Sequence, residues 1–408
     1  MSARIAVVGA SLAGLRTAEQ LRAAGHTGPV TVLGDEPHPP YNRPPLSKEL
    51  LADPDPGDSD PARLHAAVAF RRRASVRDVD FRLGRAVVRA DLARGLLTLA
   101  DDTEIRYDGL VAATGLRPRR LTLPGPRAGR YALRTLDDCV ALRGALSPGA
   151  RVIVVGAGFI GCEVAATALG LGCRVTVVEP AGPPMGRVLG ADLARAVQRH
   201  HEAAGITFRT GRSVAAVLGR DHVRGVDLDD GTTLGADAVV EAVGSVPNTE
   251  WLSGNPGLDL GDGVLCDNAL LAVGSDRLVA VGDVARFPNP LFDTTPRRVE
   301  HWSVPGDTAK RAAATLTALL AGRAPAPEPF SPLPSFWSDQ LGLRLQSFGA
   351  PALADEVRLA EGDLTDPRAG LLATYHRRSR PVGVVAVNLP PARLRELREA
   401  GTAHAPAA

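Results

Sequence analysis

Residues 151–161 read Arg151-Val-Ile-Val-Val155-Gly156-Ala-Gly158-Phe159-Ile160-Gly161. An apolar segment follows, then Val175-Thr-Val-Val-Glu179. A continuous run of β-branched residues fits a strand buried on both faces of a parallel sheet. The glycines at 156, 158 and 161 have the spacing of a strand-to-helix turn that receives a pyrophosphate. The first permits the tight turn, the second leaves the backbone open to a phosphate, and the third lets the helix lie close on the strand. The helix N-terminus then offers unpaired N–H groups and a partial positive charge.

Toward the N-terminus the same pattern recurs. Ile5-Ala-Val-Val8 is a short buried strand, Gly9-Ala-Ser11-Leu-Ala13-Gly14 the turn, Leu15 to Ala24 a helix, and Val30 to Leu33 the next strand, ending near Asp35 and Glu36. Ser11 stands where the middle glycine is expected; its hydroxyl can donate to a phosphate. Two such units predict an α/β chain with two Rossmann-like domains and two dinucleotides. A protein that binds both FAD and NADH uses the adenine end of each in the same way, and the N-terminal copy is assigned to the flavin. At the second copy, Glu179 suits the two hydroxyls of an adenosine ribose and repels a 2′-phosphate, which favours NADH over NADPH.

The intervening segments supply further candidates. Pro37 to Lys48 is a stiff, proline-rich loop that holds the cations Arg43 and Lys48. Residues 51–65 read as a loop or short helix start, and Arg71, Arg72 and Arg73 as a candidate basic docking surface. Ala113-Thr114-Gly115 ends a strand in a small-residue turn, with Arg119 beyond it. Asp192 to Ala204 is helical, and the strand from Asp237 to Gly244 returns the chain to the first domain. Gly282-Asp283 follows another strand, where an aspartate can accept from ribityl hydroxyls. Glu300-His301-Trp302 precedes a helix from about Thr308 to Leu320, and a proline-rich linker runs from Ala324 to Pro334. Phe336-Trp337-Ser-Asp339-Gln340 is read as loop, so that Trp302 and Trp337 can wall a flat ring system. A terminal helix begins at Ala392, and the tail after Gly401 is expected to be disordered.

The 408 residues fit two or three domains, and 45% apolar content can fill their cores. With 47 Lys and Arg against 45 Asp and Glu, the net charge of +2 gives no global case for nucleic acid. Four scattered cysteines argue against a disulfide scaffold, a zinc ribbon and a redox C-x-x-C, and no metal site is expected. The N-terminus enters a strand without a signal-like segment, and no apolar run approaches a membrane span. A soluble, cytoplasmic protein is therefore expected, monomeric or weakly dimeric.

Gly9 to Gly14, Arg43-Pro-Pro-Leu-Ser-Lys48, Ala113 to Gly115 with Arg119, Gly156 to Glu163, Gly282-Asp283, Glu300 to Trp302 and Phe336 to Gln340 together resemble the FAD-dependent ferredoxin reductases of bacterial oxygenase systems, the putidaredoxin-reductase type. The resemblance covers almost the whole chain. It implies a glutathione-reductase-like fold: an FAD domain from 1–115 and 245–325, an NAD domain at 116–244, and a C-terminal α+β interface domain at 326–408. It further implies that Lys48 lies near the flavin N5 edge and pairs with Glu163; the residues themselves put Glu163 at the start of a helix facing the nicotinamide, where an acid suits the dipole. Arg43 is assigned to the FAD pyrophosphate, and Glu36 or Asp35 to its ribose. Phe159, Ile160, Arg187 and Gly244 complete the expected cofactor contacts.

The activity implied is hydride transfer from NADH to FAD, then single electrons to an iron–sulfur ferredoxin that serves a haem-thiolate monooxygenase. Association is expected to be transient and charge-steered. A dioxygenase reductase component, an NADH oxidase and an NADH-sensing flavoprotein are the alternatives.

Overall fold

The computed structural model describes residues 2–53 and 60–403. Residues 54–59 of the expected Asp/Pro-rich loop and 404–408 of the expected tail lie outside the described residues. Gly401 itself is still within the last helix, Pro391–Ala403.

The two glycine units generate two parallel sheets of matching order. In the first, Ile5–Val8 is flanked by Val30–Leu33 and Gly109–Ala112, with Asp80–Arg82 and Leu278–Ala280 outside them. In the second, Arg151–Val155 is flanked by Arg174–Glu179 and Ala238–Glu241, with Thr207–Thr210 and Arg130–Tyr131 outside. Each central strand is buried on both faces, which is why it reads as an unbroken apolar run; in the second sheet helices pack against Val152 and Val154, and the antiparallel strands Val214–Leu218 and Gly225–Leu228 against Ile153 and Val155. Strand order reverses beside each central strand, and the crevice at its C-terminal end is where open α/β sheets take ligands.

The connection between the two units is a short antiparallel ribbon. Leu116–Pro118 leaves the first sheet and Ser245–Pro247 returns beside it, Val246 opposite Arg117. The last segment forms a five-stranded antiparallel sheet, with Ser335–Gln340 at one edge and Glu356–Glu361 at the other. The fold is thus α/β with two Rossmann-like units and a C-terminal α+β unit.

Two local expectations are corrected. The helix expected from about Thr308 begins at Val304. Pro305 lies in its first turn, where a missing N–H costs nothing and the fixed φ suits the helix. Residues Ser335–Gln340 form a strand rather than a loop, so Phe336, Ser338 and Gln340 share one face and Trp337 and Asp339 the other.

His201, on the helix Ala191–Ala204, is fully buried, and neither ring nitrogen has a hydrogen-bond partner among the described residues. Burial pushes its pKa down to about 4. The unfolded chain, with a pKa near 6.5, binds the proton more readily. The neutral ring's contribution is therefore complete above pH ~6.5 and is lost as pH falls toward 4, by about 3 kcal/mol at most. His201→Leu is expected to flatten the acid side of a stability-against-pH curve measured by denaturant unfolding; an unchanged slope would count against this.

Candidate functional site

Both glycine turns are shaped by backbone contact. Gly9 has φ +117°, and a Cβ there would sit 2.1 Å from the Ala113 carbonyl oxygen. Gly156 has φ +101°, and its Cβ would sit 2.3 Å from the Ala242 carbonyl oxygen. In each copy the third glycine, Gly14 or Gly161, lies against the carbonyl oxygen of the first. The helices that follow, Leu12–Ala23 and Phe159–Gly170, start at Ser11 and Gly158 without a side-chain cap. First-turn N–H groups are thereby left for an anion. Gly158 is exposed, and a Cβ there would meet nothing within 4 Å, so the space beside it is open. These features fit a pyrophosphate at each turn.

Around the first turn the chain builds a closed polar ring. Arg43 reaches Ser11 Oγ at 3.3 Å, the Arg134 carbonyl at 2.6 Å and Glu36 Oε1 at 2.5 Å. Tyr41 donates to Glu36 Oε2, and its oxygen accepts from Arg43 and from Leu136 N. Arg134 in turn contacts Asp283 at 3.2 Å. Burial raises the Asp283 carboxyl above the usual range, with Arg134 opposing the shift. Gly282 closes the ring: a Cβ on it would lie 3.0 Å from that of Ala13. Asp35 is exposed and accepts from the Glu36 N–H, so Glu36 is the acid that faces the ring. The turn after Ala113 is locked by Asn248, whose carbonyl accepts from Thr114 Oγ1 and whose side-chain amide donates to the Thr114 carbonyl. The Asn248 N–H donates to the Gly115 carbonyl, and the Arg119 N–H to that of Gly244. The Arg119 side chain is exposed.

At the second turn, Glu179 accepts from Ala157 N at 2.7 Å and Ala181 N at 2.8 Å. Ile160 and Arg187 are exposed beside it. Gly244 has φ +93° with open space around it.

Glu163, on the helix that follows the second turn, is 4% exposed. Lys48 Nζ and Ser47 Oγ donate to Oε2 at 2.9 and 2.5 Å, and Ser338 Oγ donates to Oε1 at 2.5 Å. The expected Lys48–Glu163 contact is therefore formed. The expected dipole effect is corrected: Glu163 is the fifth residue of its helix, beyond the first turn where that field acts, and side-chain donors hold it instead. A loop reading of 335–340 hides Ser338 and Gln340. A period-2 reading of that stretch, plus the need of a buried carboxylate for donors, is the signal that finds them.

Aromatic rings close this region. Phe159 packs on Phe336 at 4.7 Å, and His301 meets Phe336 edge-on at 5.0 Å. Burial lowers the His301 pKa to about 4, and its Nδ1 has no partner among the described residues. Trp302 and Trp337 form a T-shaped pair at 5.5 Å, and Trp302 Nε1 donates to Asn42. Trp302 is 44% exposed, so the pair lies at the surface rather than in the core. Glu300 accepts from Ser245 and pairs with Arg298. All four cysteines are buried and unpaired, and burial raises each thiol pKa, that of Cys139 to about 12. None is a ready thiolate.

Arg71, Arg72 and Arg73 are all exposed. Arg72 stacks over Phe81 at 4.1 Å and Arg73 lies 3.6 Å from Glu19, so two of the three are engaged by their own domain. Among the described residues no helix is long and apolar enough to cross a membrane.

Comparison with known proteins agrees with this geometry. The sequence profile of the pyridine nucleotide-disulphide oxidoreductase family matches residues 3–309, and that of the reductase C-terminal domain matches residues 335–408. The chain is 37% identical to a probable ferredoxin reductase of Castellaniella defragrans over 95% of this chain and 91% of that one. It is also 37% identical to the ferredoxin–NAD(+) reductase component of the biphenyl dioxygenase system of Paraburkholderia xenovorans, over 85% and 80%. Among solved structures, the covalent putidaredoxin reductase–putidaredoxin complex superposes with a TM-score of 0.86 at 30% identity, covering 99% of this chain and 93% of that one.

Proposed function

The chain belongs to the pyridine nucleotide-disulphide oxidoreductase family, and from that premise we propose that it is a cytoplasmic, NADH-dependent ferredoxin reductase, monomeric or weakly dimeric. Its proposed partner is a small iron–sulfur ferredoxin that serves a haem-thiolate monooxygenase. The observation that carries the reading is the nearly buried Lys48–Glu163 pair, with Glu163 on the helix that follows the second glycine turn, and no paired thiol among the described residues to take the electrons.

FAD, when bound, supplies the hydride-accepting and one-electron-donating chemistry. In this reading Gly9, Ser11 and the first turn of Leu12–Ala23 hold its pyrophosphate, while Glu36, facing the Arg43 ring, takes its ribose. Asp283, with Arg134, is placed to accept from the ribityl chain. Lys48 presents a fixed positive charge at the flavin edge, held by Glu163. Phe159, Phe336 and His301 exclude water from that edge. Trp302 and Trp337 sit at the surface where a partner can approach. Protein and ferredoxin meet transiently, steered by local charge.

The test is an assay of NADH-driven cytochrome c reduction across a panel of ferredoxins at several salt concentrations. Reduction that needs a ferredoxin and weakens with salt supports the reading; oxygen consumption at the same rate without ferredoxin overturns it. The biphenyl dioxygenase relative favours a second reading, in which the ferredoxin serves a ring dioxygenase. Reconstitution with each type of terminal oxygenase separates the two.

The preference for NADH rests on Glu179, which ends its strand beside the open turn. Glu179→Ser removes the charge that repels a 2′-phosphate. It is expected to lower the ratio of kcat/KM for NADH over NADPH by about tenfold or more. A ratio unchanged in steady-state assays would remove Glu179 from cofactor choice.

A further inference from the structure

Glu163 is where three parts of the chain meet. Ser47 and Lys48 come from the proline-rich loop, Glu163 from the helix after the second glycine turn, and Ser338 from the edge strand of the C-terminal sheet. A carboxylate only accepts, so the Ser338 hydroxyl must give its proton to Oε1. Its lone pairs then face Gln340 Nε2 at 2.8 Å. The Gln340 amide therefore turns its nitrogen inward, and the same nitrogen lies 3.5 Å from Met185 Sδ. This leaves Gln340 Oε1 buried without a partner among the described residues. Turning the amide over would give Oε1 a donor only by drawing the Ser338 hydroxyl proton away from Glu163. The carboxylate thus fixes the direction of the whole chain of bonds.

Met185 connects this chain to the second site. It has a left-handed backbone, φ 56°, starts the short helix Gly186–Leu189 that carries Arg187, and donates its N–H to the Ala157 carbonyl inside the glycine turn. A single path runs from the C-terminal sheet through Gln340 to the pyrophosphate turn, and through Ser338 to Glu163 and Lys48.

We propose that Ser338 and Gln340 are positioning residues for hydride transfer: they hold the Glu163 carboxylate in the orientation that fixes Lys48 Nζ at the flavin edge. This rests on the reductase reading above. Without the Ser338 hydroxyl, Oε1 loses its donor in a buried site. The carboxylate must then turn toward another donor, carrying Lys48 with it. The rate of the chemical step should suffer while the dinucleotide grip, made at the glycine turns, is kept.

The experiment uses the flavin-loaded full chain with Ser338→Ala, Ser338→Thr and Gln340→Met. Anaerobic stopped-flow gives the limiting rate of flavin reduction and the Kd for NADH; equilibrium redox titration gives the flavin midpoint potential. Ser338→Ala is expected to lower the limiting rate about tenfold with Kd changed less than about twofold, and to shift the midpoint potential. Ser338→Thr, which keeps the hydroxyl, is expected to return the rate to within about threefold. A Ser338→Ala protein with the native rate and potential overturns the proposal, as does a loss confined to Kd or one that threonine does not restore. Should Ser338→Ala fail to retain flavin, Gln340→Met decides: it keeps the shape and removes the amide. A slower limiting rate and a shifted potential support positioning, and native values overturn it. Wild-type protein that takes up flavin but is not reduced by NADH would instead sink the reductase reading itself.

Discussion

Gly9→Ala is expected to give a protein that folds but purifies colourless. At φ +117° the added methyl group lies 2.1 Å from the Ala113 carbonyl oxygen and 2.4 Å from its carbon. Both obstacles are backbone, at the end of a strand that pairs with Ile5–Val8 in the centre of the sheet. Neither can swing aside as a side chain would. The turn has to open, and the N-terminus of Leu12–Ala23 moves off the pyrophosphate with it. The expected loss of flavin affinity is at least ~100-fold, about 3 kcal/mol, read from the flavin-to-protein absorbance ratio and from fluorescence titration of the apoprotein. Gly158→Ala is the contrast. Its methyl group meets nothing within 4 Å. Flavin content should stay native, and only the affinity for NADH should fall, because the new group stands where the phosphate approaches. Equal flavin retention in the two variants would break the assignment of the N-terminal copy to FAD.

Glu163→Ala is expected to produce the largest catalytic loss that leaves flavin bound. It removes the acceptor of Lys48, Ser47 and Ser338 together. Lys48 has a side chain only 13% exposed, so its ammonium would be left without a partner in a nearly buried site. Removing one partner of a buried pair costs about 3–5 kcal/mol, and because Lys48 can relax toward water the lower figure is expected here. The ammonium is also expected to leave the flavin edge, with flavin reduction by NADH falling about 100-fold. Stopped-flow reduction and urea unfolding check the two halves separately. Reduction within about twofold of wild type would show that the pair has no part in the chemistry, whatever its effect on stability.

Much of the fold was written in local pattern. The two runs Ile5–Val8 and Arg151–Val155, each ending in a glycine turn, carry their own reading, because burial on both faces and a phosphate-sized turn leave few other choices of residue. The Lys48–Glu163 contact came from resemblance rather than spacing, and the chain brings these residues together across 115 positions. The start at Val304 rather than near Thr308 turns on Pro305: a proline in isolation signals a break, but in the first turn of a helix it signals a start. The Ser338–Gln340 arm was missed because five polar and aromatic residues show no apolar alternation. Their strand is an edge strand whose inward face carries Ser338 and Gln340 beside Phe336, with Ser338 turned onto Glu163. Hydrophobic alternation alone does not mark that. Such a face becomes visible only when the carboxylate it serves is placed opposite.

The central claim is that two dinucleotides face each other across the Lys48–Glu163 pair and that electrons leave without a thiol. The most direct measurement is an anaerobic titration of the flavin-loaded protein with NADH and then with an iron–sulfur ferredoxin. The flavin absorbance should bleach with one NADH per flavin and return as the ferredoxin is reduced. A flavin that stays oxidised with NADH, or a second NADH equivalent consumed by a thiol pair before the flavin bleaches, would contradict it.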